Sequence, residues 1–136
     1  MKLILFYAPS FWFKTYRRVL EQVPDRDQEA LFEKVVVVFY QVEAEDVDRR
    51  SKVLTKFVKN IKWLAGKFEA RTIVLHSFNH LSASKARAEF AGPLIDEARE
   101  RLERSGYTVG MTPFGVLNEW KLHVAGDSLA KVFKEI

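Results

Sequence analysis

The sequence predicts a single α/β domain: a mixed β-sheet with helices packed on it. Three observations carry this. The segment EKVVVVFYQV, Glu33 to Val42, holds four consecutive valines and suits a central strand covered on both faces. Between Asp48 and Phe68, apolar Val53, Phe57, Ile61, Leu64 and Phe68 recur at steps of three and four, with Lys52, Lys56, Lys59 and Lys62 between them. Hairpin-like joins, which need antiparallel neighbours, alternate along the chain with helical crossovers, which favour parallel ones.

In chain order, Lys2 to Tyr7 alternates and reads as a strand, Pro9-Ser10 interrupts it, and FWFKTYRR (Phe11 to Arg18) resumes the pattern as a hairpin or a bent long strand. VPDRDQEA, Val23 to Ala30, is polar and turn-prone. The valine-rich strand and the first helix follow, then a strand from Arg71 to His76. Pro93 after Gly92 marks the first turn of a second helix, with Leu94, Ile95, Ala98 and Leu102 inward and a stop at Ser105-Gly106. Tyr107 to Met111 and Glu119 to Val124 are two further strands joined through TPFG. Gly126-Asp127 turns the chain into a last short helix, Ser128 to Lys134. The expected order is β-β-β-α-β-α-β-β-α.

The 136 residues make one domain, with no repeat, linker or low-complexity segment. No apolar run approaches the ~20 residues of a membrane helix. The first residues, MKLILFYAPSFWF, lack a small-residue cleavage site and fit a strand better than a signal peptide. The absence of cysteine excludes disulfides, thiolate metal sites and cysteine nucleophiles, and fits an intracellular, cytoplasmic location. The net charge of +4 helps an anionic partner approach without identifying one.

The chemistry concentrates in two stretches. In VLHSFNHLSASKA, Val74 to Ala86, His76 lies within a strand and His80 just past its end. Four residues of extended chain cover more than ~10 Å, and no HExxH pattern is present, so the spacing speaks against a metal site. His76 is expected to make a core hydrogen bond. For His80, a ligand-contacting role and a structural one stand equal, since α/β folds bind ligands outside the carboxyl ends of their strands. Ser82 and Ser84 suit capping of a short helical turn, and no nucleophile elbow supports a serine hydrolase.

The second stretch is GYTVGMTPFGVLNEWKLHV. Pro113 fixes its own φ and restricts Thr112, while Gly115 permits close backbone approach, which fits either an ordinary turn or a backbone rim around a ligand. The aromatic residues Phe11, Trp12, Phe13, Tyr16 and Tyr40 alternate as sheet core rather than as a base-stacking platform. Walker, GxGxxG, RNP and GXXG signatures are absent.

SFNHLS (Ser77 to Ser82) and GYTVGMTPFG (Gly106 to Gly115), with the strand ending VFYQVEAED, resemble the N-terminal editing domain of archaeal threonyl-tRNA synthetases over essentially the whole chain. The resemblance implies a D-aminoacyl-tRNA deacylase-like fold spanning residues 1–136, a homodimer, and no cofactor or metal. It implies proofreading hydrolysis of L-seryl-tRNA(Thr), with the tRNA(Thr) 3′ end as partner and a separate threonyl-tRNA synthetase catalytic subunit as another possible one. By position, His80 matches the pocket histidine that shapes rejection of threonine, with Phe78 beside it. Pro113, Phe114 and Gly115 match the corner that holds the terminal adenosine and positions the attacking water. Val42 and Glu43 would hold substrate through main-chain groups. The family lysine three residues after PFG falls on Asn118, counted here among the substrate-binding positions, and the acid of the last element falls on Lys131. Assistance by the tRNA's terminal 2′-hydroxyl, with backbone donors at the developing oxyanion, tolerates both departures.

Rival readings are a D-aminoacyl-tRNA deacylase of the same fold, whose SQ-x-TL and N-x-GPVT motifs are absent, a non-catalytic RNA-binding or dimerisation domain, and a plain α/β ligand-binding domain. A freestanding protein and a fragment of a longer synthetase are both compatible with this sequence.

Overall fold

A computed structural model of the chain describes residues 1–24 and 27–136. Eight principal elements follow in order: β1 (Lys2–Arg18), β2 (Glu29–Gln41), α1 (Arg50–Lys67), β3 (Thr72–Ser77), α2 (Ala88–Arg104), β4 (Thr108–Met111), β5 (Val116–His123) and β6 (Lys131–Glu135). Short 3-10 segments precede α1 (Ala44–Arg49) and β6 (Ser128–Ala130). The sheet runs β4-β3-β2-β1-β5, with β6 also against β1. Pairings to β1 are antiparallel, and those of β3 with β2 and β4 are parallel, giving the expected mixed sheet.

Two expected elements differ. The first two strands are one, β1, which continues through Pro9. On its outer edge β6 pairs residues 2–6 and β5 takes over from Ser10, so Pro9 sits at the gap between them, where no ladder bond is lost for want of an N–H. The inward set changes parity here: Ile4, Phe6 and Ala8, then Phe11 and Phe13, all join one aromatic cluster. Beside Pro9, Lys34 of β2 has φ 49°, and β2 changes parity too, from Ala30 and Phe32 to Val35 and Val37. The expected last helix, Ser128 to Lys134, is a 3-10 turn followed by β6. Its short apolar run fits either period, and the edge of β1 at Lys2–Phe6 decides it. The observed order is β-β-α-β-α-β-β-β. Of the turn-prone run, Asp25 and Arg26 lie outside the described residues, and β2 already begins at Glu29.

Helix α1 buries Val53, Leu54, Phe57, Val58, Ile61, Leu64 and Ala65 on one face of the sheet. Helix α2 adds Ala91, Leu94, Ile95, Ala98 and Leu102. It starts at Ala88, earlier than expected, and accommodates Pro93 within it. Ser105 and Gly106, at φ 95°, end it as the sequence predicts. Full burial of a side chain such as Phe57 or Leu64 stabilises by roughly 1.5–3 kcal/mol. The opposite face is closed by aromatic side chains of the sheet itself, including Phe11, Phe13, Phe32 and Phe39. Val35 to Val38 are therefore covered on both faces, as expected.

Candidate functional site

The carboxyl ends of β2, β3 and β4 open on one cleft of about 560 Å³. Parallel pairing of β2 with β3 ends at Tyr40↔Ser77. Beyond it the chain stays bound to the end of β2: Phe78 N–H donates to the Tyr40 carbonyl and Ala86 N–H to that of Val42, both at 2.9 Å. Between these ties the Gln41 side chain takes over. Its Oε1 accepts from Leu81 N–H and Ser82 N–H at 2.8 Å, and its Nε2 donates to the carbonyls of Ser82 and Ser84 at 2.9 Å.

The serines do not cap a helical turn of their own. Ser82 Oγ accepts from Ser84 N–H and donates to Glu43 Oε2 at 2.6 Å. Ser84 Oγ accepts from Ala44 N–H and donates to the Glu45 carboxylate. Both fasten the loop to the segment after β2.

The second wall is the Thr112–Gly115 corner between β4 and β5. Gly115 has φ 77°, a conformation that favours glycine, and a Cβ there would stand 2.9 Å from Leu20 Cδ1. Its carbonyl accepts from Val19 N–H at 2.9 Å and Leu20 N–H at 3.2 Å, strapping the corner to the chain after β1. Lacking a side chain, Gly115 lines the cleft with main chain.

His76 makes the expected core hydrogen bond, Nδ1 to Thr112 Oγ1 at 2.9 Å, while also forming cleft wall. It is 5 % exposed and ringed by Phe39, Trp120, Phe78 and Phe11. Burial pulls its pKa from 6.5 down to about 4, so the ring is neutral at pH 7. His80 is exposed at the mouth, its ring edge-on to Phe78 with centroids 4.9 Å apart. Burial pushes the Tyr40 phenol well above its ordinary range. Lys85 and Arg87 stand exposed on the rim. Among the described residues no Asp or Glu lines the cleft, and the charged side chains on its wall are cationic. Among the described residues no group of three His, Asp or Glu is placed to hold a metal ion, and no helix is long and apolar enough to cross a membrane.

The model of the "archaea-specific editing domain of threonyl-tRNA synthetase" matches residues 1–136. This chain belongs to that family. It is 28 % identical over 139 residues to the threonine–tRNA ligase of Thermococcus kodakarensis, covering all of this chain and 22 % of that protein. It is 32 % identical over 112 residues to that of Methanoregula boonei, covering 82 % of this chain and 17 % of that one. The chain thus spans about a fifth of the length of its curated relatives. Among solved structures, the c-Myc DNA unwinding element binding protein superposes with a TM-score of 0.65 at 12 % identity, covering all of this chain and 99 % of that one. The expected D-aminoacyl-tRNA deacylase-like class, a curled mixed sheet with two helices, is the fold observed.

In this editing domain, the family motifs meet: Phe78 and His80 from one, Pro113, Phe114 and Gly115 from the other, with Val42 and Asn118, all line the cleft. Glu43 does not. Its N–H donates to Asp46 Oδ2, and its carboxylate receives the Met1 ammonium at 2.8 Å, Lys2 Nζ at 2.8 Å and Ser82 Oγ. Burial raises its pKa, but the bonds from Lys2, the Met1 ammonium and Ser82 outweigh this and hold it at about 2. Asn118 donates to the Val116 carbonyl at 3.1 Å, while its buried Oδ1 has no partner among the described residues. Lys131 Nζ bonds the carbonyls of Gly126 and Asp127, apart from the cleft.

Sequence reasoning missed Val19, Leu20 and Trp120, which reach the cleft only through tertiary pairing, and the rim cations Lys85 and Arg87. It also missed Gln41, for which a signal existed. An amide at the end of a buried apolar strand must find partners.

Proposed function

We propose that this editing domain hydrolyses the ester of L-seryl-tRNA(Thr), releasing serine and tRNA(Thr). The observation that carries the reading is the convergence of both family motifs on one cleft. Threonine and serine differ by one methyl, which a binding pocket separates by only ~1–3 kcal/mol, so a second hydrolytic site is a physical necessity for fidelity.

In this reading the 3′-terminal adenosine rests against the Pro113–Gly115 corner and the seryl group lies toward Phe78 and His80. His80 is the wall that disfavours the extra methyl of threonine. Among the described residues no lining side chain is a carboxylate base, and His76 is a weak base whose Nδ1 is bonded to Thr112. The attacking water is therefore assisted by the terminal 2′-hydroxyl of the tRNA. Main-chain groups at Phe114 and Gly115 stabilise the oxyanion, which needs donors where charge develops rather than any particular side chain. Val42 contributes apolar wall, Glu43 acts from behind through Ser82, and Asn118, whose amide nitrogen bonds the Val116 carbonyl, forms wall beside the corner. Lys85 and Arg87 draw the phosphodiester backbone to the mouth.

The domain acts on tRNA(Thr) charged by threonyl-tRNA synthetase catalytic domains, whether in the same polypeptide or a separate subunit. A homodimer is the expected assembly, and the exposed apolar side chains Tyr16, Leu31 and Leu117, 72 %, 60 % and 45 % exposed, offer a second copy a surface to cover. Sedimentation equilibrium reads that state directly.

Deacylation of seryl-tRNA(Thr) and threonyl-tRNA(Thr), side by side, with the unaltered domain and His80→Ala tests the reading. Rapid loss of the seryl ester alone, with His80→Ala narrowing the difference, is expected. Survival of both esters overturns the assignment and leaves an RNA-binding domain that keeps an editing fold.

A further inference from the structure

We infer that Gln41 is a positioning residue for this site, acting through the loop that carries His80; the inference rests on the editing function proposed above. The loop from Phe78 to Arg87 has no helix or strand of its own, and such segments open most readily. Yet a specificity wall must hold its place. The structure resolves this by prolonging β2 with a side chain. Where backbone pairing between β2 and β3 stops, the amide of Gln41 presents two donors and an acceptor to the loop.

Every hydrogen-bonding group of that amide is matched in kind. Oxygen meets two N–H groups, of Leu81 and Ser82, and nitrogen meets two carbonyls, of Ser82 and Ser84, all at 2.8–2.9 Å. Gln41 is 2 % exposed, so water does not compete for these bonds. Its backbone belongs to β2, paired with Lys2 of β1, which makes the anchor part of the sheet. Leu81 follows His80 directly, so the clamp grips the chain one residue from the proposed wall. A carboxylate at the same position would keep the acceptor and lose both donors, and an aliphatic side chain would lose all four bonds.

The test compares the unaltered domain with Gln41→Leu and Gln41→Glu, reading amide hydrogen exchange and single-turnover deacylation of seryl-tRNA(Thr) per folded molecule. In Gln41→Leu, Leu81 and Ser82 amides are expected to lose protection while those of β2 and α1 keep theirs. The rate should fall by about 10–10²-fold, the scale of a reacting group misplaced by an ångström, and the serine-to-threonine ratio should narrow. Gln41→Glu keeps the acceptor but sets its second oxygen against the Ser82 and Ser84 carbonyls, so it is expected to recover less than half of the lost protection and rate. A merely structural glutamine would instead lower global stability and leave the rate per folded molecule unchanged. Unchanged loop protection, or lost protection with an unchanged rate, overturns the inference. If the unaltered domain does not hydrolyse the seryl ester, the function proposed above fails, and loop protection alone decides whether Gln41 positions the loop.

Discussion

The imidazole of His76 and the hydroxyl of Thr112 meet at 2.9 Å between the ends of β3 and β4, buried behind the cleft. The bond joins the two motif-bearing segments, since His76 leads into Phe78 and His80 and Thr112 opens the corner that ends at Gly115. It also places a titratable group where its charged form is disfavoured.

Acid should therefore destabilise the fold in a defined window. The pKa of folded His76, about 4, lies below its ordinary 6.5, so the unfolded chain takes up this proton first as pH falls. Its contribution is full above pH 6.5 and is lost between 6.5 and about 4, on the order of 3 kcal/mol in all. Urea midpoints measured across that range should fall for the unaltered domain. The slope should flatten in His76→Gln, which cannot titrate. A slope identical in the two proteins would show that His76 titrates alike in the folded and unfolded chains.

Glu43 acts lower on the pH scale. Its pKa is depressed from 4.5 to about 2, so its stabilisation is present above 4.5 and disappears as pH falls through about 2. Glu43→Gln should cost roughly 2–3 kcal/mol at pH 7, by loss of charge opposite the Met1 ammonium and Lys2. The difference from the unaltered domain should close near pH 2. Denaturant titrations at pH 7, 4 and 2 separate this from the His76 effect, whose window ends where that of Glu43 is still open.

At Gly115, two obstacles stand against any side chain. The φ of 77° strains an L-residue by ~1–2 kcal/mol, and a Cβ would meet Leu20 Cδ1 at 2.9 Å and Leu20 Cγ at 3.2 Å. Gly115→Ala should lower stability by about 1–3 kcal/mol and reduce deacylation more than tenfold, because the corner moves. Adding Leu20→Ala removes the Cδ1 and Cγ contacts but leaves Leu20 Cβ at 3.2 Å and the backbone strain. The double variant should recover stability only in part, as thermal unfolding would show.

What was legible in the sequence follows from how local the cause is. The four valines of β2 and the helical spacing from Val53 to Leu64 declare themselves because each element's own residues carry its apolar pattern. Gly106 ends α2 through its own backbone. The misread elements depend on partners. Pro9 looks like a break until β5 and β6 are seen to leave a gap beside it, and the run from Ser128 to Lys134 becomes a strand only because the β1 edge is open. Within the site, His76 and the TPFG corner were visible through chemistry confined to a few residues. Gln41, Trp120 and Leu20 were not, since their roles exist only after β2, β5 and the chain beyond β1 converge. Glu43 shows the limit from the other side: its position matched the family, but its main-chain N–H is taken by Asp46 and its carboxylate by the Met1 ammonium, Lys2 and Ser82.

The proposed mechanism makes one demand on the substrate rather than the protein. With no carboxylate among the described lining residues and His76 a weak base whose Nδ1 is bonded to Thr112, the acceptor proposed for the water's proton is one that the tRNA brings. A seryl-tRNA(Thr) ending in 2′-deoxyadenosine should bind with similar affinity, because the corner, the rim cations and the phosphodiester contacts are unchanged. Its hydrolysis should slow by about 10²-fold or more, the usual worth of a positioned proton-transfer group. Single-turnover kinetics with saturating domain separate the two, since binding sets the concentration dependence and chemistry the plateau. A plateau equal to that of the ribose substrate would return the proton to the protein. The next group to examine would then be His80, the titratable side chain that stands exposed at the mouth.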